Sequence, residues 1–179
     1  MKYRIVTVLA LALLAVSGWV QAQAPAPSAN PLSDATRSMY EMAKNNILKS
    51  AEKMAEGDYS FRPVDTVMTF RQLLIHVAEA NVMVAGNAAT EEKPKVTADK
   101  EKATKAEVIA ALKASFAFTD KLYGGLTDAR ALELVEMWKT RRPVAYVLSF
   151  NVVHNYEHYG NLVTYMRIKG LVPPSSEKR

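Results

Sequence analysis

The sequence predicts an all-α protein built as a four-helix bundle. Four segments carry apolar residues at helical spacing, and capping or stop signals bound these segments. The longest polar stretch lies between the second and third segments, where a bundle with one long crossover needs a connection. Nothing in the chain suggests strands, and no segment repeats another.

The chain opens with a segment that we interpret as an export signal. Lys2 and Arg4 precede an apolar run at residues 5–16, and residues 20–22 offer small side chains at a cleavage site. A retained anchor is disfavoured because the apolar run is shorter than the roughly 20 residues of a membrane span. We therefore predict a signal peptide at residues 1–22 and a periplasmic or secreted mature protein with no stable membrane span.

Composition excludes several other classes. The net charge of the 179-residue chain is +5, and loss of Lys2 and Arg4 with the signal lowers it to +3. The remaining charge is scattered, without the dense basic block that nucleic-acid binding requires. The chain has no cysteine, so disulfides and anchoring through a lipidated cysteine are excluded.

The first helix follows a short leader. Residues 23–32 are rich in alanine and proline and predict a flexible leader. We assign residues 33–172 to the bundle, with its first helix from Ser33 to about Ala55 and Gly57 as its stop. The following segment is predicted to be a loop because Pro63 interrupts helical hydrogen bonding.

The second helix begins at a capping box. Thr69 is followed three residues later by Gln72, and the helical pattern continues to about Gly86. The polar, proline-containing residues 87–103 come next and predict a crossover between bundle helices, with a lid as the alternative.

A second capping box, Thr104 with Glu107, opens the third helix, which should run to about Tyr123. A short helical turn is predicted within residues 128–138.

The last helix should start at Pro143, because proline fits the first helical position, where its missing N–H costs nothing. It should end at about Lys169 with Gly170 as its stop, leaving residues 173–179 as a tail.

The three histidines of the chain are the candidate functional residues. His154 and His158 lie four residues apart on the last helix, so their imidazoles project to one side, and His76 lies on the second helix. Three imidazoles from two helices can hold one ion and leave a coordination position for water or substrate. We predict a divalent metal ion (zinc, nickel or iron). The alternative is three unrelated histidines.

Other polar residues lie beside these histidines. One narrow stripe of the last helix consists of Val147, Asn151, His154, His158, Asn161 and Tyr165. Four unpaired polar groups in such a seam would cost roughly 1–3 kcal/mol each if buried, so they need partners. We predict that Asn151, Asn161 and Tyr165 orient a substrate. Glu79, one turn from His76, is the candidate for proton transfer, with a solvated flanking position as the alternative.

Three stretches resemble the DinB/YfiT-like superfamily of metal-dependent enzymes. The loop and second helix read YSFRPVDTVMTFRQLLIHVAEAN, with a proline before the cap and a histidine inside an apolar helix. The last helix reads HNYEHYGNLVTYMRIKGLVPP, in which HxxxHxG precedes an amide, an aromatic residue and an arginine. The third stretch is KGLVPP at residues 169–174, and the resemblance extends over residues 32–171.

The resemblance implies an up-down-down-up bundle whose divalent metal is held by His76, His154 and His158. It also implies homodimers, here through helix faces without histidines, and low-molecular-weight thiols as cosubstrates of several relatives. The chain departs from the family in carrying Asn161 where glutamine is common and in its export signal, which takes the protein away from the cytoplasmic thiol pool.

Together these observations predict an exported metal-dependent enzyme of hydrolase or thiol-dependent transferase type that uses metal-bound water on a small-molecule substrate. The alternative is a non-catalytic protein that binds a metal or small ligand, or a stress protein.

A zinc-protease interpretation of the same residues is disfavoured. His154 and His158 with Glu157 also satisfy the inverted HxxEH motif, in which the glutamate is the general base. That architecture needs a further carboxylate ligand downstream, and the only acid after His158 is Glu177 in the tail.

Overall fold

The computed structural model describes residues 28–178, so the predicted signal peptide lies outside the described residues. The bundle has four long helices, and a short helix and a hairpin precede the last of them. The elements are α1 (Pro31–Lys53), α2 (Phe70–Ala80), α3 (Lys105–Gly124), α4 (Asp128–Ala131), β1 (Leu134–Met137), β2 (Thr140–Pro143) and α5 (Val144–Ile168). The all-α, four-helix prediction is confirmed.

Both predicted capping boxes are present. The Thr69 hydroxyl accepts from the Gln72 amide N–H, and the Gln72 side chain accepts from the Thr69 amide N–H at 2.7 Å. Thr104 and Glu107 make the same reciprocal pair at α3, also at 2.7 Å. These pairs satisfy N–H groups that a helix start otherwise leaves unpaired, which fixes where each helix begins.

Contacts at the helix ends give the direction of α1, α3 and α5. Lys53, at the end of α1, donates to the Val172 carbonyl just beyond α5, so these two helices are parallel. Arg37, near the start of α1, donates to the Tyr123 carbonyl at the end of α3, so α1 and α3 are antiparallel.

The same reasoning places α2. Tyr165, near the end of α5, donates to the Met68 carbonyl before α2, so α2 runs opposite to α5. Gln72 in the first turn of α2 donates to Glu101, just before α3 begins, so α2 and α3 are parallel. The bundle is therefore up-down-down-up, as the family resemblance implied.

The end of α2 is irregular. Regular α-helix stops at Ala80 rather than near Gly86, and a π-helical turn (Asn81–Ala85) and a 3₁₀ turn (Gly86–Ala88) follow. The connection to α3 then crosses the bundle, tied down by salt bridges from Lys100 to Glu79 at 2.7 Å and from Lys121 to Glu91 at 3.1 Å. These ties favour the crossover interpretation over a lid.

The prediction that the chain contains no strands is wrong. Strands β1 and β2 pair antiparallel, and Met137 opposes Thr140 across a two-residue turn. That turn has positive φ at Trp138 (51°) and Lys139 (61°), a geometry usually signalled by Asn-Gly. Four-residue strands are too short for a clear alternating pattern, and Trp-Lys gives no turn signal, so the hairpin was missed.

The ends of α1 and α5 differ slightly from their predicted positions. Helix α1 begins at Pro31, inside the predicted leader, and ends at Lys53. Pro143 is the N-cap of α5 rather than its first residue. Gly170 follows α5 with φ of 74°, a left-handed conformation that suits glycine and ends the helix as predicted.

A continuous apolar core lies between the four long helices. Its largest fully buried side chains include Tyr40, Tyr59, Phe70, Phe116 and Leu148. Burial of this apolar surface is the main favourable term in folding. No helix within residues 28–178 is both long enough and apolar enough to cross a bilayer.

Candidate metal centre

Helices α2 and α5 bring the three predicted histidines together. The ring centroid of His76 lies 5.2 Å from that of His154 and 4.7 Å from that of His158. The centroids of His154 and His158, one turn apart on α5, are separated by 4.3 Å. The antiparallel packing of α2 on α5 thus converts two distant segments of sequence into one histidine cluster (His76, His154 and His158).

The ring nitrogens are spaced as ligands of one ion would be. One nitrogen from each histidine can be chosen so that all three lie within 4.8 Å of one another. Nε2 of His154 and Nε2 of His158 are 3.0 Å apart. Two nitrogens bonded at 2.0–2.2 Å to one ion, at angles of about 90–110°, lie roughly 3.0–3.5 Å apart. The α5 pair fits that separation without rearrangement.

The cluster also has unused bonding capacity. None of the three histidines is exposed. Nδ1 of His154 and Nδ1 of His158 are buried and have no hydrogen-bond partner within residues 28–178. Histidines that bind metals usually donate their second ring nitrogen to a carboxylate or carbonyl, and these two lack such a partner. The side chains are therefore placed for binding but are not fixed by a supporting shell.

Burial keeps the α5 histidines in the form that binds metals. The pKa of His158 is lowered from 6.5 to about 4, first by burial and then by repulsion from the neighbouring His154 and His76. Burial and His76 also lower the pKa of His154. Both imidazoles are consequently neutral at neutral pH, with a lone pair available on each ring.

The structure places Glu79, Asn161 and Tyr165 in three different settings. Glu79 forms the 2.7 Å salt bridge with Lys100 of the crossover. Asn161 is exposed. Tyr165 is buried and its hydroxyl donates to the Met68 carbonyl at 2.8 Å. The roles of these side chains in proton transfer and substrate orientation stay predictions.

Asn151 belongs to a buried amide cluster (Asn81, Asn151 and Asn155), each member 0% exposed. Asn151 accepts from the Tyr123 hydroxyl at 2.9 Å and donates to Asn81 Oδ1 at 3.0 Å. Asn155 donates to the same oxygen at 3.0 Å. Both ends of the Asn151 side chain are thus bonded within the core, and its predicted role in substrate orientation also stays a prediction.

Sequence reasoning missed Asn81 and Asn155. A usable signal existed for Asn81, which is a lone amide in the apolar run VAEANVMVA that follows His76. Asn81 also begins the π-helical turn, a distortion often found near functional sites. Asn155 lies off the predicted stripe, beside His154 in the sequence.

Two cavities lie away from the histidines, between the crossover and α3. Their volumes are about 500 Å³ and 470 Å³. Alanines of α3, including Ala110, Ala114 and Ala117, line them together with crossover residues 91–99. Small side chains and open walls make these cavities poor sites for directed chemistry, so the histidine cluster remains the candidate centre.

A family sequence model and solved structures both relate this chain to DinB-like proteins. The sequence model of the DinB superfamily matches residues 39–162. The fold is similar to a DinB-like protein from Bacillus cereus ATCC 10987, with a TM-score of 0.67, 14% identity and coverage of 79% of this chain and 95% of that one. A DinB-like protein from Bacillus subtilis gives a TM-score of 0.61 at 19% identity, covering 81% and 99%. No curated protein matches the chain. At these identities the structural likeness concerns the fold alone.

Proposed function

The chain belongs to the DinB superfamily, and from that premise we propose that it is a metal-dependent enzyme whose divalent ion is held by His76, His154 and His158. The observation that carries the proposal is the convergence of three unexposed ring nitrogens from two helices within 4.8 Å. Within residues 28–178 no other group of three or more such side chains is close enough to share an ion.

The residues of the cluster have separable roles. His154 and His158 supply a preformed pair of nitrogens at 3.0 Å, held by one rigid helix. His76 supplies the third from α2, so the site depends on the packing of α2 against α5. Zinc, nickel or iron held there would supply Lewis acidity and lower the pKa of a ligand water or thiol. Three protein ligands leave room for such a ligand, which suits hydrolysis or thiol-dependent transfer.

One observation favours a non-catalytic metal or ligand-binding protein as the second candidate. Glu79, the predicted proton-transfer residue, is held by Lys100 at 2.7 Å in the crossover. A carboxylate held in a salt bridge with a lysine is not free to contact a substrate. Catalysis that uses Glu79 requires this pair to open when substrate binds.

Elemental analysis of natively purified protein tests the metal, and a substrate screen tests turnover. We expect about one divalent ion per chain and activity against a hydrolase or thiol-transfer substrate that is lost with a chelator and restored by the ion. Glu79→Gln, with Glu91→Gln as the matched control on the other crossover salt bridge, tests proton transfer. Bound metal without any activity would favour the binding protein. Absence of metal would contradict both the enzyme and a metal-binding protein.

We also propose export and a homodimer. The signal-like residues 1–22 support export, and N-terminal sequencing should find a mature start at Gln23; an intact Met1 on soluble cytoplasmic protein would contradict this. The homodimer rests on the resemblance, and light scattering at micromolar concentration should give twice the chain mass, whereas a monomer alone would refute it.

A further inference from the structure

A row of aromatic side chains on α5 leads to the histidine cluster. Tyr146, Phe150 and His154 lie at four-residue intervals, and we call them the aromatic row. The rings of Tyr146 and Phe150 are 6.3 Å apart and inclined by 22°. Those of Phe150 and His154 are 6.5 Å apart and inclined by 24°. Neighbouring rings of the row are thus nearly parallel, and the row ends at a predicted metal ligand.

The hairpin places a tryptophan against this row. The Trp138 ring packs edge-on to Phe150, with centroids 5.3 Å apart and an angle of 88°. Trp138 nevertheless stays 59% exposed. Its φ of 51° is unfavourable for a bulky side chain, and the turn would accept Asn or Gly at lower cost. The hairpin therefore holds an exposed indole beside Phe150 at the cost of backbone strain. Residues with strained backbone often lie at ligand-binding sites.

The same hairpin brings positive charge to the far end of the row. The Arg142 guanidinium lies 5.0 Å from the centre of the Tyr146 ring. Within the described part of the chain, Lys139, Arg141 and Arg142 have no carboxylate within salt-bridge distance. Glu136, opposite Arg141 in the strand register, offsets one of the three charges. An excess of positive charge therefore remains for an anion.

We propose that the aromatic row, Trp138 and Arg142 form the substrate-binding surface of the metal centre and select a planar aromatic anion. The inference rests on the proposed function, because the row ends at His154. Eight residues of helix separate Tyr146 from His154, a rise of about 12 Å. The anionic end of the ligand lies at Arg142, its ring lies on Phe150 and Trp138, and its reacting group lies at the histidines.

The chemistry of these side chains fits that ligand. Aromatic faces bind planar rings by offset or edge contacts, and arginine binds carboxylate or phosphate through parallel N–H donors. Exposed tryptophan with basic residues also occurs on surfaces that bind anionic membranes. The aromatic row is continuous with the partly buried histidine cluster. This continuity favours a small molecule, because a small molecule can contact both the row and the histidines, whereas a membrane surface contacts only exposed side chains.

The test uses 2-naphthoate as the probe and Trp138 as the reporter. The chain has two tryptophans, and Trp19 lies in the predicted signal peptide. Trp19→Phe therefore makes the Trp138 indole N–H the single indole signal in a ¹H–¹⁵N spectrum whether or not that peptide is removed. We expect 2-naphthoate to shift this signal saturably. The neutral 2-naphthalenemethanol and the non-aromatic cyclohexanecarboxylate should each bind about tenfold more weakly or worse.

Two variants and a matched control locate the site. Phe150→Leu removes the ring but keeps apolar volume, and Arg142→Gln removes the charge; each should weaken 2-naphthoate binding about tenfold, the equivalent of one good contact. Lys169→Gln is the control, because Lys169 lies 4.3 Å from the Phe61 ring in a second cation–aromatic pair near the end of α5. This variant should bind as the parent does, and circular dichroism should show all three folded.

Several results would overturn the inference. They are the absence of saturable binding, binding by Phe150→Leu and Arg142→Gln that equals binding by the parent protein, or a Trp138 shift produced only by phosphatidylglycerol vesicles. The assay is run with metal-free protein and metal content is measured separately. A protein that binds metal but not 2-naphthoate contradicts this inference alone, and one that binds 2-naphthoate but no metal contradicts the proposed function alone.

Discussion

Helices α2 and α5, with the π-helical turn that follows α2, hold two polar clusters that differ in how their polar atoms are partnered. In the amide cluster, Asn81 Oδ1 accepts from both Asn151 and Asn155 at 3.0 Å, and Asn151 also accepts from the Tyr123 hydroxyl. One buried atom of this cluster, Asn155 Oδ1, lacks a partner within residues 28–178. In the histidine cluster, the α5 pair makes one Nε2–Nε2 contact, and both Nδ1 atoms lack a partner within the same residues.

This difference separates a structural network from a binding site. Buried polar groups that bond to each other fix the packing of helices and have little capacity left for a ligand. Buried groups with unused capacity carry a cost that a bound ion can remove. A polar residue in a helix seam is therefore weak evidence of a site. The number of polar side-chain atoms without a hydrogen-bond partner is stronger evidence.

Removal of one histidine nitrogen is the most direct test of the difference between the two clusters. His154→Ala should lower metal affinity on the order of 100-fold or more, because one of three ligands and half of the preformed pair are lost. The matched control is Asn155→Leu, an adjacent change in the amide cluster, which should keep full metal content. Elemental analysis after dialysis measures both, and helicity should persist in each. A His154→Ala protein with full metal content would end the metal assignment.

The amide cluster should show the opposite pattern, with a loss of stability and no loss of metal. Asn81→Leu removes the oxygen that accepts from Asn151 and Asn155, leaving two buried N–H groups unpaired. The free energy of unfolding should fall by about 2–6 kcal/mol, since each of the two buried unpaired groups costs about 1–3 kcal/mol. Urea denaturation of metal-free protein measures this loss. If Asn81→Leu instead lost metal at unchanged stability, the amide cluster would belong to the site.

Much of this arrangement is readable from the sequence. The capping boxes at Thr69 and Thr104 and the spacing of His154 and His158 depend on neighbours within one helix turn, so local pattern suffices. Pairing of His76 with them follows from the resemblance and from the count of three histidines. The direction of each helix is fixed by contacts between distant residues, such as Lys53 with Val172, and only the family pattern anticipates it.

The partners of polar side chains are not readable in this way. Asn151 and Asn161 look equivalent on the predicted stripe, but Asn151 is fully buried and Asn161 is exposed. The difference arises because the neighbouring helices cover one position and not the other. The residue pattern of a single helix does not show which positions its neighbours cover. The hairpin around Trp138 was missed for a related reason, since its turn lacks favourable turn residues and the packing of Trp138 on Phe150 joins residues of two different elements.

Dependence of stability on pH provides a further distinction, because folding lowers the pKa of the two α5 histidines, whereas asparagine side chains do not titrate. The pKa of His158 is about 4 in the folded chain and 6.5 ordinarily. The unfolded chain therefore binds more protons between these values, and stability should fall as pH drops from about 6.5 towards 4. His158→Leu should flatten this decline in metal-free protein, whereas Asn81→Leu should lower the whole curve without changing its shape. Urea denaturation between pH 4.5 and 7 measures both, and an unchanged slope in His158→Leu would contradict the lowered pKa.

The smallest effect is expected within the amide cluster itself. Asn155 Oδ1 is buried and has no partner within residues 28–178, and its only side-chain hydrogen bond goes to Asn81 Oδ1, which Asn151 also satisfies. Asn155→Leu removes an unpaired acceptor and leaves no new one, since Asn81 keeps its bond from Asn151. Exchange of polar for apolar atoms of similar shape can be nearly neutral, so the free energy of unfolding should change by less than about 1 kcal/mol. A loss near that of Asn81→Leu would show that Asn155 Oδ1 has a partner, such as a buried water, and that the amide cluster is fully bonded.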